Sequence, residues 1–355
     1  MKKKSLLIAV LLSAILFFLF GMPVKKKDFD ELMGKGTKHW SHVQQEVDIL
    51  ALKTYKKLFD KNSSRLENWP RGEKIPKVVH FIWVGPKPFP EESVRNVKMW
   101  IDMHPSWKFK FWTDNNRAAP CPGMEVLNAE EFPFLKLKRC YDLTQNYGEK
   151  SDVLRFEILF QEGGIYVDHD ANCLKKFDAL SSYFDFFCGL EAPHPPFVGL
   201  NVTAGIGVLG SRPGHPVIEK VIDLIDSRWD VLEAQFPGMD PHSRTTLTMH
   251  RTYIALTDAL SDGLGEDDIV LPAAFFFAKS GLKPIYSKHY FANSWSDGHP
   301  VKKKENKKKT GHARGHGHGH EIRKEKNASP LLSFVPVPVP ACVPGLLLKE
   351  KSIEK

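Results

Sequence analysis

Paired cysteines are missing from this chain. It has five, Cys121, Cys140, Cys173, Cys188 and Cys342, and no two form a Cys-x-x-Cys pair. An odd number at scattered spacings argues against a disulfide scaffold and against a structural zinc site. One disulfide stays open, and with it the redox compartment. No long internal repeat is evident. The body of the chain is also short of positive charge. The formal charge is +8, but residues 301–327 hold ten Lys or Arg against three Glu, and Lys2 to Lys4 add three more; setting aside that +10 leaves −2 for the rest. A basic nucleic-acid surface on the body is therefore excluded. What the chain does have is apolar content, 42 % of 355 residues, enough for one large domain or two small ones.

The two ends read differently from the middle. Residues 6–20 are apolar except for Ser13, and Gly21 to Val24 lengthen the stretch to 19 residues, just enough helix to cross a bilayer core. No clear small-x-small cleavage site closes it. Residues 1–24 are therefore read as an N-terminal transmembrane signal-anchor, giving a single-pass membrane protein; a cleaved signal and secretion are the alternative, and a buried helix is a third. Flanking Lys25 to Lys27 bias the orientation weakly. Residues 25–72 read as a helical stem or outer helical pair, with Val43, Val47, Leu50 and Tyr55 as a loose apolar stripe. Residues 298–355 combine a lysine run, a Gly/His run and alternate prolines, which predicts a disordered C-terminal tail. His312, His316, His318 and His320 suit capture of Zn²⁺, Ni²⁺ or Cu²⁺, with incidental low complexity as the alternative.

Between these ends the pattern is α/β. Val78 to Val84 is a continuous apolar run closed by Gly85-Pro86 and predicts a strand. A helix over 91–103 follows, then a strand from Trp107 to Trp112 ending at Thr113-Asp114. Residues 149–161 read as a helix that Ser151 can cap. Ile165 to Val167 is a short strand, 205–210 another, Pro216 to Trp229 a helix, and 241–263 contains a further one. Ile269 to Leu271 and Pro284 to Tyr286 are late strands or loop edges. Strand, helix, strand opens a Rossmann-like sheet flanked by helices.

The most informative stretch is residues 151–170, SDVLRFEILFQEGGIYVDHD. Period-two geometry puts Asp168 and Asp170 on one side of an extended chain, at a strand's carboxyl end, where open sheets bind ligands. Two carboxylates there suit Mg²⁺ or Mn²⁺ and, through the ion, a diphosphate; an acidic, solvated strand end is the bland reading. Asp152 and Arg155 share a helix face at i,i+3. They are either a routine ion pair or a donor-binding pair in which Asp152 accepts from sugar hydroxyls and the Arg155 fork meets oxyanions. Trp83 either stacks on a base or fills the core. Trp295 could close over a ligand, and His289 could ligate a metal or donate to phosphate; taken alone, each reads as a packing residue first. Asn62-Ser63-Ser64 and Asn201-Val202-Thr203 match glycosylation sequons.

Three phrases, Ile75 to Trp83, Phe111-Trp112-Thr113-Asp114 and Ser151 to Asp170, resemble the glycosyltransferases with a DXD sugar-binding motif. That group includes bacterial capsular transferases, fungal outer-chain and inositolphosphoceramide mannosyltransferases and, more distantly, clostridial toxin glucosylating domains. The resemblance covers roughly residues 75–297 and implies a GT-A nucleotide-sugar transferase fold, with a catalytic domain over 73–297. It further implies a metal-dependent retaining transfer from a UDP-sugar or GDP-sugar, through Mn²⁺ or Mg²⁺, to a glycan or glycolipid. A protein acceptor is the alternative, and an inactive metal-binding envelope protein a third. By the same resemblance, Trp83 lies near the base and Asp152 and Arg155 contact the donor sugar. Asp168 lies near ribose and sugar, Asp170 ligates the metal, and Asn201 sits near the donor ahead of Gly214-His215-Pro216. The late phrase HHxxGSW appears here as His289-Tyr290-Phe291-Ala292-Asn293-Ser294-Trp295. Ser294 and Trp295 are retained for the diphosphate, and His289 is the expected third metal ligand, although Tyr290 and Asn293 depart from the pattern.

Overall fold

The computed structural model describes residues 27–294 apart from 197–198, 237–240 and 262. The readings of an anchor at 1–24, of the tail at 298–355 and of Trp295 fall outside the described residues. Within them, no helix is long and apolar enough to cross a membrane.

The elements run α1 (Phe29–Met33), α2 (Glu46–Asn62), β1 (Val78–Ile82), α3 (Glu91–Met103), β2 (Lys108–Thr113), β3 (Glu125–Asn128), α4 (Lys138–Leu143), α5 (Tyr147–Gln161), β4 (Gly164–Val167), β5 (Ala171–Cys173) and α6 (Asp178–Tyr183). They continue with β6 (Phe186–Leu190), β7 (Ala204–Ser211), α7 (Pro216–Gln235), α8 (Pro241–Arg251), α9 (Tyr253–Ala259), β8 (Asp268–Leu271) and β9 (Ser287–His289). Seven strands form one sheet in the order β3-β2-β1-β4-β7-β6-β8. All run parallel except β7, which is antiparallel to both of its neighbours. The order reverses at β1, so a crevice opens past the carboxyl ends of β1 and β4, the place where an open α/β sheet takes its ligand.

Strand β4 and the middle of helix α5 are buried on all sides. Residues Gly164 to Val167 are fully buried, and so is nearly every residue from Asp152 to Leu159. This is why their sequences lack a polar face. The pairing of β1 with β4 needs a glycine at its start: Gly164 has φ +93°, and a Cβ there would lie 2.8 Å from the Val78 carbonyl and from His80 Nε2. Strand β6 was not foreseen. Phe-Phe-Cys-Gly-Leu is apolar without alternation and too short to stand out.

The segment expected to be a stem or outer helical pair packs into this body. Leu52, Tyr55 and Phe59 of α2 are buried, whereas Leu50 is exposed. Asn62 Nδ2 donates to the carbonyls of Glu266 and Asp268 at 3.0 Å each, and the Asp48 carboxylate accepts from the amides of Asn201 and Val202. Both sequon asparagines are buried, Asn62 fully, so neither can carry a glycan in the folded protein.

One buried carboxylate organises the bend between β3 and α5. Helix α4 starts after Leu137, whose side chain offers no cap. Glu157, fully buried on α5, accepts instead from the backbone N–H groups of Leu135 (3.1 Å), Lys136 (2.8 Å) and Leu137 (2.7 Å). Removing it orphans three donors at once. Glu157→Ala is expected to cost roughly 3 kcal/mol at about 1 kcal/mol per stranded donor. Thermal unfolding checks this as a midpoint lowered by roughly 10 °C.

Candidate active site

Asp168 follows β4 directly. Its N–H donates to the Gly207 carbonyl (2.8 Å), and the Ala171 N–H returns to the Asp168 carbonyl (3.0 Å). Residues 168–171 thus form a turn, not the extended chain from which the shared face was argued. The shared face survives for another reason. The turn aims both acids at one point, and strand β9 delivers a third group to it. Ala171 pairs with His289 across the small antiparallel β5–β9 sheet. His289 Nε2 lies 3.1 Å from Asp168 Oδ2 and 3.3 Å from Asp170 Oδ1. The three potential ligand atoms all lie within 4.8 Å of one another. Two carboxylate oxygens and an imidazole nitrogen on one face are a donor set that Mn²⁺ accepts readily and Mg²⁺ accepts through its carboxylates.

Behind this trio stands the Asp152–Arg155 pair. It is not a surface pair: Arg155 is 4 % exposed and Asp152 8 %. The guanidinium is fixed from several sides. Nη2 meets the Asp152 carboxylate, Nη1 donates to the Ile206 carbonyl (2.7 Å) and lies 3.5 Å from Asp168 Oδ1, and the plane sits 4.1 Å over the Tyr166 ring. The Tyr166 hydroxyl donates to Asp168 Oδ1 (2.6 Å). Burial alone would raise the Asp168 carboxyl. Arg155 and the contacts from His289 and Tyr166 overcome that and hold it well below the usual range, so it stays ionised. Asp152 goes the other way. Burial pushes it up to about 7, with Arg155 opposing and the neighbouring Asp168 and Glu149 charges adding to the rise. Asp168 further favours the protonated form of His289, whose affinity for a proton is raised despite burial.

A glycine keeps the trio open. Gly207 of β7 lies against the acids, and a Cβ there would stand 2.6 Å from Asp168 Oδ2 and 2.9 Å from His289 Nε2. Displacing either group by a fraction of an ångström spoils a cation site. Gly207→Ala is expected to weaken Mn²⁺ binding by about tenfold or more, on the scale of a perturbed outer shell, with the fold retained. Manganese electron paramagnetic resonance reads this directly.

All of this opens on a cavity of about 330 Å³. Trp83, Asp152, Arg155, Asp168, Asp170, His289 and Ser294 line it, so the structure brings together seven of the residues singled out from sequence. Trp83 is a wall residue, edge-on to His169 at 4.8 Å between ring centroids. Asn201 does not join them. Its amide donates to the His194 carbonyl (2.9 Å), and its own backbone N–H is taken by Asp48, so it shapes a loop away from the cavity wall. His215 caps α7 through Nδ1 and pairs with Asp268 through Nε2 (3.0 Å), a structural role. Ser151 does not cap α5; Asn146 does, accepting from Gly148 and Glu149, and the Ser151 hydroxyl donates to the Tyr147 carbonyl within the helix.

Several wall residues were missed. Tyr166 is two residues before Asp168, so strand periodicity puts both on one side, a signal that was available. Gly207 was available too, as a glycine inside a strand marks close approach. His169, between the two acids, bridges Ser93 Oγ (2.7 Å) on α3 and Ser294 Oγ (3.0 Å) in the late loop. Glu191 and Tyr253, which also line the cavity, had no local signal.

Residues 90–187 match the family model described as the glycosyltransferase sugar-binding region containing DXD motif. Over that region the chain is similar to the DXD glycosyltransferases. The matched region contains Asp152, Arg155, Asp168 and Asp170, while Trp83, Gly207 and His289 lie outside it. Inositol phosphoceramide mannosyltransferase 3 of Schizosaccharomyces pombe is 31 % identical over 150 residues, covering 42 % of this chain and 36 % of that protein. Subversion of eukaryotic traffic protein A of Legionella pneumophila is 29 % identical over 184 residues, covering 46 % of this chain and 28 % of that one. The chain spans about a third of the length of the curated relatives it matches. Among solved structures, the PaToxG glycosyltransferase aligns with a TM-score of 0.41 at 21 % identity, covering 60 % of this chain and 77 % of that one.

Proposed function

We propose that this protein is a metal-dependent glycosyltransferase that moves a sugar, with retention, from a nucleoside diphosphate donor to a glycan or glycolipid acceptor. The observation that carries this reading is the meeting of Asp168, Asp170 and His289 beside the buried Asp152–Arg155 pair in one cavity. In this reading Asp168, Asp170 and His289 hold Mn²⁺ or Mg²⁺. When bound, the cation neutralises the diphosphate and eases departure of the nucleotide. The protein's own groups do the rest. Arg155 cannot rotate, since its nitrogens are already engaged, so it fixes Asp152 and Asp168 relative to each other. Asp152 then accepts from hydroxyls of the donor sugar. Trp83 walls the nucleotide side, while Ser294 lines the cavity on the side of the acids. Retention comes from the resemblance, and with the leaving phosphate able to take the acceptor proton, no protein base is needed.

The relatives named as inositol phosphoceramide mannosyltransferases favour a mannosyl donor and a glycolipid acceptor. An anchor at residues 1–24 would hold the site near such an acceptor. The second reading is transfer to a protein acceptor; one relative, from Legionella pneumophila, is named subversion of eukaryotic traffic protein A. A screen of UDP- and GDP-sugars for Mn²⁺-dependent hydrolysis, followed by lipid and protein acceptors, tests both. No hydrolysis of any donor would leave the inactive envelope protein as the better account.

A further inference from the structure

The phrase Phe-Trp-Thr-Asp lines no part of the cavity, yet its end grips the loop that carries the wall residues Pro86 and Lys87. Directly after β2, the chain turns and grips the loop that follows β1. Asp114 Oδ2 accepts the Gly85 N–H (2.7 Å). The Asn115 side-chain amide donates to the Gly85 carbonyl (2.9 Å) and to Asp114 Oδ1 (2.6 Å). Arg117 donates to the Gly85 carbonyl through Nη2 and to the Lys87 carbonyl through Nη1 (2.7 Å). The Lys87 carbonyl accepts a second bond, from the Trp83 indole N–H (2.9 Å). Arg117 and Trp83 therefore share one acceptor, and the direction of that carbonyl sets the plane of the indole.

The loop cannot relax to the other side. Gly85 has φ +93°, a conformation that L side chains rarely adopt. A Cβ on it would lie 2.4 Å from the Tyr147 ring. Gly85 is held between the Asp114–Arg117 grip and the first residue of α5. Trp83, Pro86, Lys87 and Tyr147 all line the cavity. On the far side, Trp83 meets Phe89 (5.5 Å) and His169 (4.8 Å) edge-on.

From this geometry we infer that Arg117, with Asp114, is a positioning residue that holds the Gly85–Lys87 loop and the Trp83 indole in the orientation that receives a planar nucleobase. The inference rests on the proposed function. It places the base of the donor against Trp83 and the diphosphate at the acids, so the grip acts on one half of the ligand only. Losing Arg117 frees the Lys87 carbonyl and lets the indole turn. A base stacked on an aromatic ring loses much of its binding when that ring is misaligned.

The test compares ligands that have a base with one that lacks it. In Mn²⁺, binding of UDP, GDP and inorganic pyrophosphate is measured by calorimetry for the wild type, Arg117→Ala and Arg117→Lys. The expected result is an affinity loss of about tenfold for the better nucleotide in Arg117→Ala, partial recovery in Arg117→Lys, and pyrophosphate binding unchanged in both. In turnover, donor KM rises by a similar factor and kcat falls much less. Equal losses for nucleotide and pyrophosphate would show a general structural role and overturn the inference, as would undiminished nucleotide binding. If the wild type binds pyrophosphate but neither nucleotide, the donor reading fails instead. The grip is then read by amide hydrogen exchange across residues 83–89, where unchanged protection in Arg117→Ala overturns it.

Discussion

Asp170→Ala is expected to abolish metal-dependent turnover. Asp170 gives one oxygen toward His289 and accepts the Ala292 N–H on the other (2.7 Å). Its loss removes a charged ligand from the trio and frees the late loop. A Lewis-acid contribution of several kcal/mol, at 1.36 kcal/mol per tenfold in rate, predicts a fall in kcat/KM of about a thousandfold. Asp170→Asn separates the two effects. It keeps an acceptor for Ala292 and loses the charge, so the loop stays and the cation does not. Steady-state donor hydrolysis measured with and without Mn²⁺, beside Mn²⁺ affinity, gives the answer. Activity in Asp170→Ala close to that of the wild type would refute the cation assignment for this residue.

Arg155→Ala should be costly in a different way. Asp152 and Asp168 both lie beside this guanidinium, and Arg155 itself is buried. Without it, two carboxylates face each other in a poorly solvated space, and the Ile206 carbonyl and Tyr166 ring lose their partner. Breaking a buried pair from one side typically costs about 3–5 kcal/mol. The unfolding midpoint should drop by roughly 10 °C. The sign with pH follows from Asp168. Arg155 lowers the proton affinity of both carboxyls, and Asp168 is the one held below its usual range, so wild-type stability from this contact is present above the unfolded carboxylate range and lost on acidification through the depressed folded value. In Arg155→Ala that contribution is gone at neutral pH, and the stability gap between the two proteins should narrow as the pH falls. Arg155→Lys restores a charge but not the fork, and should recover stability more than turnover. A midpoint unchanged at neutral pH in Arg155→Ala would mean that the pair is solvated, contrary to its burial.

The two residues show what each level of description could see. Asp152 and Arg155 were visible as an i,i+3 pair, and spacing alone could not tell a surface pair from a buried one. Burial decided it, because α5 is covered by the sheet on one side and by α7 on another. Asp168 and Asp170 were visible as two acids after a short apolar run. Their joint aim was inferred from an extended chain and is in fact produced by a turn. Asn201 was placed near the donor by resemblance, but the loop it belongs to is tied to α2 and holds it away.

Local pattern determined the parallel opening of the sheet, the helix at 91–103 and the acids at the strand end, because side-chain periodicity and glycine punctuation act over a few residues. Tertiary structure alone decided that residues 28–67 join the body, and it brought His289, which the resemblance had named, up to Asp170 from more than a hundred positions away. It also decided that β7 runs against its neighbours and sets Gly207 beside the acids. Those facts depend on strand pairing between distant segments, and pairing register is fixed by the packing of the whole sheet, which no short window of sequence contains.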